Sequence, residues 1–324
     1  MMAPEGHCLT TQVEGYIAFK RGLGFQLTVE AAELRRFAIF ARDQDHSGTV
    51  TVDLALNWAT ERPHFSQWYR ARRLEMVRRF ATYAHVQDPR TEIPPRGVFG
   101  PCHGRTVPYI VTLNDVQQLM ATATTLMSPD GLRAQAVRTA IGFLWATGLR
   151  PSELVRLRHA DLDRKRGTVR IAQTKFNKER ILPLDATVWA AVEAYEAFRD
   201  RICPTPQTDH VFLSTAGDAL SLRDLEYAFQ VVRTVLLPSG DTAWSRRPPR
   251  LYDLRHSFAC QTILRWYSEG VDVNHHLLLL STYLGHVKPS DTYWYLTGTP
   301  ELLARVAVHY ERWAGDAGHL GGDR

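Results

Sequence analysis

Apolar residues along the first quarter of the chain recur at helical spacing. Leu9 to Arg21 carries one such pattern, and a second starts at Thr28, read as its cap, and runs to about Arg42 with Val29, Leu34, Phe37 and Phe40 or Ala41 near one face. Thr51 is placed to cap a short helix with Leu54, Leu56 and Trp58, and His64 to Ala84 forms a longer one. The pattern then stops. Asp88 to Pro108 holds five prolines and three glycines, which withhold backbone donors and favour extended shapes. Helical periodicity returns with Thr112-Leu-Asn-Asp115, a capping-box sequence, and with Leu132 to Thr147, ended by Gly148. Ser152 to Arg158 predicts a short helix. Thr168 to Ala172 and Arg180 to Leu184 predict a hairpin turning at Lys175 to Glu179. Asp185, Ser221 and Asp253 are read as caps of three further helices, the last stopping at Gly270. Asp272 to Leu284 carries Val273, Leu277, Leu280 and Leu284 on one stripe, and Thr299-Pro300-Glu301 opens a final helix.

The expected fold is therefore mainly α with one small antiparallel sheet, an α+β arrangement. It divides into an all-helical domain over 1–88, a linker over 89–109 and a second domain over 110–324. The chain has 324 residues, 44% hydrophobic and 23% charged, enough apolar material for two cores and unlike a disordered or fibrous chain. No apolar stretch approaches a membrane span, and Met1 to Thr10 lacks the apolar core of a secretory signal. Cys8, Cys102, Cys203 and Cys260 stand apart, with no zinc spacing, which suits a reducing cytoplasm. The formal net charge of +5, shared between both halves, favours an anionic partner. Asp43-x-Asp45-x-Ser47-Gly48 imitates the start of a calcium loop, but Leu54 stands where a bidentate Glu is required, so turn and cap roles are expected. Arg70, Arg72, Arg73, Arg78 and Arg79 cluster in the long helix with only Glu75 opposing, which makes them candidates for phosphate contacts.

Three segments combine polar residues with helix punctuation: Ala146-Thr-Gly-Leu-Arg150-Pro-Ser-Glu153-Leu, Leu251-Tyr252-Asp-Leu-Arg255-His256-Ser, and Tyr283-Leu-Gly-His286 followed by Thr292-Tyr293-Trp294-Tyr295. Arg150 follows a glycine-terminated helix and Arg255 lies in the first turn of another. Two guanidiniums fixed in this way can hold the nonbridging oxygens of one phosphate. A phosphodiester also needs an oxygen nucleophile in line and a proton for the departing alkoxide.

Taken in order, the T-G-L-R-x-S-E-L segment, a hairpin lysine, the x-x-Arg box, L-G-H and a tyrosine nine residues later resemble the tyrosine recombinase (phage integrase) family. The match runs from about Thr112 to Tyr310, and the helical N-terminal part is similar to the family's core-binding domain. The resemblance implies that Arg150 and Arg255 clamp the phosphate, that Lys175 protonates the leaving 5′ oxygen, that His286 is the second histidine and that Tyr295 is the nucleophile. Glu153 and His256 match supporting positions. Lys178 competes with Lys175 and Tyr293 with Tyr295. The first histidine of the family's box is Tyr252 here; a phenol can donate to a phosphate oxygen but is a poor proton acceptor at neutral pH. Either His286 takes the nucleophile's proton, or the arginines stabilise the phenolate. The implied partner is double-stranded DNA, clamped between the two domains, with four protomers acting on two sites. A phosphotyrosine conserves the bond energy, so no energy-supplying cofactor is expected, and with two arginines and a lysine no metal is expected either. Two other readings remain open: a DNA-binding protein that has lost cleavage, and a type IB topoisomerase, which shares the chemistry.

Overall fold

The computed structural model describes residues 8–101, 108–172, 179–237 and 247–297. The chain divides into two compact units, Met1–Thr106 and Val107–Arg324, the division falling inside the proline-rich stretch.

The first unit packs α1 (Leu9–Gly22), α2 (Thr28–Asp43), α3 (Val52–Thr60) and α4 (Gln67–Gln87) around Val13, Ile17, Leu34, Phe37, Trp58, Val77 and Phe80. Thr51 caps α3, its hydroxyl accepting from Leu54 N–H. Thr28 does not cap α2: it is the first helical residue, and Leu27 before it turns the chain with a left-handed backbone, φ 47°. Val29 is exposed, because the buried stripe of α2 is Ala31, Leu34, Phe37, Ala38 and Ala41. The start of the proline-rich stretch packs against this unit. Glu92 N–H donates to Val50 O, the Glu92 carboxylate accepts from Val52 N–H, and Phe99 packs on the core.

The basic cluster of α4 is not one solvated face. The helix starts at Gln67, capped by Ser66, and this phase turns Arg73 inward. Its guanidinium donates to Glu61 at 2.9 Å and lies 3.5 Å from the Trp58 ring centroid and 4.6 Å from that of Phe65. A guanidinium is weakly hydrated and flat, so it stacks in such a cage where an ammonium would not. Arg73 is thus withdrawn from the candidate phosphate contacts. Arg70 donates to Pro63 O, Arg72 lies over Trp68, and Arg79 pairs with Glu75.

The second unit contains α5 (Leu113–Ala123), α6 (Leu132–Thr147), α7 (Pro151–Leu154), β1 (Leu162–Asp163), β2 (Thr168–Ile171), β3 (Arg180–Pro183), α8 (Ala186–Ile202), α9 (Leu222–Val232), α10 (Asp253–Glu269), α11 (Val273–Leu284) and α12 (Ser290–Tyr293). Helix α6 is its axis, packed by α5, α8 and α10 and buried through Ala136, Ala140, Ile141 and Leu144. The strands run antiparallel in the order β1-β2-β3, with Val169 opposite both Leu162 and Leu182. Alternation puts Val169, Ile171 and Leu182 into the core. A second apolar cluster joins Ala259, Ile263, Val273, Leu277, Leu280, Leu284 and Tyr295.

Two boundaries and one short strand, β1, differ from the sequence expectation. The helix expected over 152–158 ends at Leu154, because Leu157 O accepts from Val211 N–H and Arg158 bridges to His210, which draws this segment into an extended pairing. β1 is too short to carry an alternating pattern. Asp253 is the first residue of α10 rather than its cap. Its buried carboxylate instead accepts from Arg250 N–H and from the Arg247 and Arg250 guanidiniums, fixing the chain that enters the helix. Lys175, Lys178 and the helix expected from Thr299 lie outside the described residues. Among the described residues no helix is long and apolar enough to cross a membrane.

The Arg73 cage yields a test. Arg73→Gln removes a desolvated cation–π contact and an ion pair, and is expected to cost about 2 kcal/mol in urea unfolding of the full chain. An unchanged midpoint would return Arg73 to the solvated face.

Candidate active site

The site is built where α6, α10 and α11 end or begin. Gly148 closes α6 with φ 62°, and a Cβ there would fall 2.4 Å from the Phe258 ring, so this left-handed turn has room only for glycine. The chain then passes buried Leu149 and presents Arg150 at the N-cap position of α7, with Pro151 as the first helical residue. Glu153, one turn on, accepts from Arg150 N–H at 3.0 Å and from its Nη1 at 2.7 Å. Arg150 Nη2 donates to Gly285 O at 3.0 Å, tying this turn to the one after α11. Burial alone would raise the Glu153 pKa, but Arg180 and Arg150 together hold it down to about 2, so it is a carboxylate whenever the protein is folded near neutral pH.

Arg255 is fully buried in the first turn of α10. Its Nη1 donates to Gly148 O at 2.9 Å, and its Nη2 to Leu284 O at 2.7 Å and to His286 Nε2 at 3.0 Å. Burial pulls its pKa down, and its Nε has no partner among the described residues. Since His286 Nε2 accepts, its Nδ1 carries the proton and donates to Thr292 Oγ1 at 2.7 Å. Burial, and after it the Arg255 and Arg150 charges, lower the His286 pKa to about 4, so the ring is neutral. Tyr295 is buried, stacks on His286 with ring centroids 6.0 Å apart, and lies within the field of the Arg255 guanidinium. Burial raises its pKa to about 12 despite Arg255. A phenol held this high needs its emerging charge stabilised before it can act as a nucleophile.

His256 meets Tyr252, Trp294 and Tyr295 edge-on and is neutral, its pKa lowered to about 4 by burial. Tyr252 is half-exposed, and its phenol meets the Arg150 guanidinium. A cavity of about 430 Å³ opens beside these two, lined also by Phe229, Arg233 and Arg250.

Arg150, Glu153, Tyr252, Arg255, His256, His286 and Tyr295 are therefore brought into one cluster, while Tyr293 is exposed on α12. Two participants are not among the sequence candidates. Thr292 fixes the His286 tautomer. Arg180 binds Glu153 through two nitrogens and shares the inner face of β3 with Leu182, and an arginine at an inward position of a short strand was the available signal.

This geometry meets known proteins at several points. The model of the phage integrase family matches residues 110–301. The chain belongs to that family. It is a tyrosine recombinase, 37% identical over 309 residues to the Sinorhizobium fredii candidate integrase/recombinase y4rB, covering 93% of this chain and 96% of the relative. It is also 30% identical to the tyrosine recombinase XerD of Caulobacter vibrioides, over 73% of this chain and 72% of that protein. In fold it is similar to the Tn1549 transposon integrase in complex with transposon right end DNA, with a TM-score of 0.63 at 16% identity over 95% of this chain and 99% of the other.

In this recombinase the Gly148 turn supplies both the Arg150 position and an acceptor for Arg255. Gly148→Ala imposes a left-handed alanine, worth about 1–2 kcal/mol, and drives Cβ into Phe258. Loss of stability in urea and loss of DNA cleavage are expected together. A variant with wild-type stability and cleavage would contradict the packing described.

Proposed function

We propose that the chain cleaves and rejoins duplex DNA at specific sites through a 3′-phosphotyrosine intermediate, and that it serves a mobile element. The observation that carries this is the buried Tyr295 phenol stacked on His286, which the buried Arg255 guanidinium engages, with a second guanidinium, Arg150, joined to it through the Gly285–His286 turn. A scissile phosphate bound by Arg150, Arg255 and Tyr252 places its nonbridging oxygens where charge develops. Tyr295 turns from its buried position and forms the Tyr295 O–P bond as the P–O5′ bond breaks. Lys175 supplies the proton to the departing 5′ oxygen, a role carried by the family resemblance. Rejoining reverses each step, with the 5′ hydroxyl as nucleophile, so no external energy source is consumed.

The fate of the phenol proton follows from His286. Its Nε2 lone pair is occupied by Arg255 and its basicity is low, which favours stabilisation of the phenolate by the arginines over proton transfer to this ring. Tyr252 then acts as a donor, so its replacement of a histidine is compatible with cleavage. Arg70, Arg72, Arg78 and Arg79 of α4 serve the DNA backbone in this reading, together with Lys178. Four protomers act on two sites, and the work takes place in the cytoplasm. The likeness in fold to an integrase bound to transposon end DNA supports the mobile-element role.

The test is a nicked suicide duplex taken from the ends flanking the gene, from which the cleaved fragment diffuses away. Wild type is expected to form a denaturant-resistant adduct in excess EDTA. Tyr295→Phe should abolish the adduct without weakening DNA binding, and Tyr293→Phe should retain it. No adduct with wild type would favour the DNA-binding protein without cleavage. Relaxed circles without strand exchange would favour the topoisomerase.

A further inference from the structure

Arg180 touches no atom that the strand-transfer chemistry moves, yet it is tied to both arms of the site. Its side chain is 11% exposed. Nη1 and Nη2 grip the Glu153 carboxylate as a fork at 3.1 and 2.8 Å, and Nε donates to Tyr283 O at 2.8 Å. The two Glu153 oxygens are the same ones that accept from Arg150: Oε1 from its Nη1 and Oε2 from its N–H. One carboxylate is thus shared between two guanidiniums, and the trio carries a net positive charge.

That sharing has a consequence for the phosphate. A lone Glu153 beside Arg150 would neutralise it and could rotate to take both of its outward nitrogens. With Arg180 filling one side of the carboxylate, Glu153 is held to one nitrogen and one backbone donor of Arg150, and the charge available to an incoming anion is restored. The fork also reaches the turn before His286. Gly285, at φ 68°, has no Cβ, and one placed there would lie 2.9 Å from Arg180 Nη1. The same turn gives Gly285 O to Arg150 Nη2. Glycine at this position therefore makes room for Arg180, and the two guanidiniums grip the turn together.

We propose that Arg180 is a positioning residue of the strand-transfer reaction, acting through Glu153 to hold Arg150 in place with its charge only partly offset; this rests on the phosphotyrosine reading above. Lysine cannot replace it, since one ammonium cannot span both carboxylate oxygens and the Tyr283 carbonyl in this planar arrangement.

The experiment compares two suicide duplexes in single-turnover adduct formation by the full chain. One carries the natural phosphodiester, the other a methylphosphonate at the scissile position. The methyl group removes the charge of one nonbridging oxygen and so reduces what is asked of Arg150. Arg180→Gln should slow cleavage of the phosphodiester by about 100-fold and cleavage of the methylphosphonate by no more than about tenfold. Arg180→Lys should show the same substrate dependence, and carries the test if the Gln variant does not fold. Because Arg180 acts through Glu153, Glu153→Gln combined with Arg180→Gln should be no slower than Glu153→Gln alone. An equal deficit on both substrates, or additive single variants, would make Arg180 merely structural and overturn the proposal while the phosphotyrosine reading stands. If wild type forms no adduct on either duplex, that reading falls and this one with it.

Discussion

Arg255 gives one nitrogen to the carbonyl that ends α6 and another to the carbonyl that ends α11 and to His286, all without contact with solvent. Burying a guanidinium is costly unless its donors are met, and here two backbone carbonyls and the His286 ring take three of its N–H groups. The arrangement makes the charge a keystone. The helix ends cannot separate without orphaning it, and it cannot leave without unpairing Gly148 O and Leu284 O. Because those carbonyls belong to the turns that carry Arg150 and His286, the interaction that stabilises the second unit is also the one that spaces the clustered polar groups. Among the described residues its buried Nε meets no acceptor.

Around that keystone the acid–base character of the site is set by burial. Tyr295 and His286 are both pushed toward their neutral forms, one with its pKa up at about 12 and the other down at about 4. A neutral phenol beside a neutral imidazole has no strong base within the described contacts. In the proposed reaction the positive charges of Arg150 and Arg255 are what would stabilise a phenolate or a pentacoordinate phosphate. Tyr252 fits this environment as a donor at the edge of the cluster, meeting Arg150 on one side and His256 on the other.

Much of this was legible in the chain itself, for a physical reason. Gly148, Gly270 and Gly285 end helices in left-handed turns, so the polar residues that follow them stand out from the hydrophobic period. Arg150, Arg255, His286 and Tyr295 could be picked out by that punctuation together with the family resemblance. What periodicity does not carry is depth. Arg73 looked like its neighbours Arg70 and Arg72, and only the phase of α4 against Trp58 and Phe65 puts it inside. Arg180 lies in a strand of four residues, too short for its alternation to stand out, and its partners are 27 and 103 positions away. Asp253 resembled a cap because acidic residues at helix starts usually are; its burial under Arg247 and Arg250 is a tertiary fact.

His286 is held neutral by burial and then by Arg255, whose Nη2 makes Nε2 an acceptor and leaves the proton on Nδ1. Nitrogen-15 NMR of the imidazoles in the free protein reads both the titration and the tautomer directly. His286 is expected to be the Nδ1–H tautomer throughout pH 5 to 8 and to protonate only near pH 4. A His286 that is imidazolium at pH 6.5, or that carries its proton on Nε2, would mean that Arg255 does not engage it, and the clamp described here would not exist in solution.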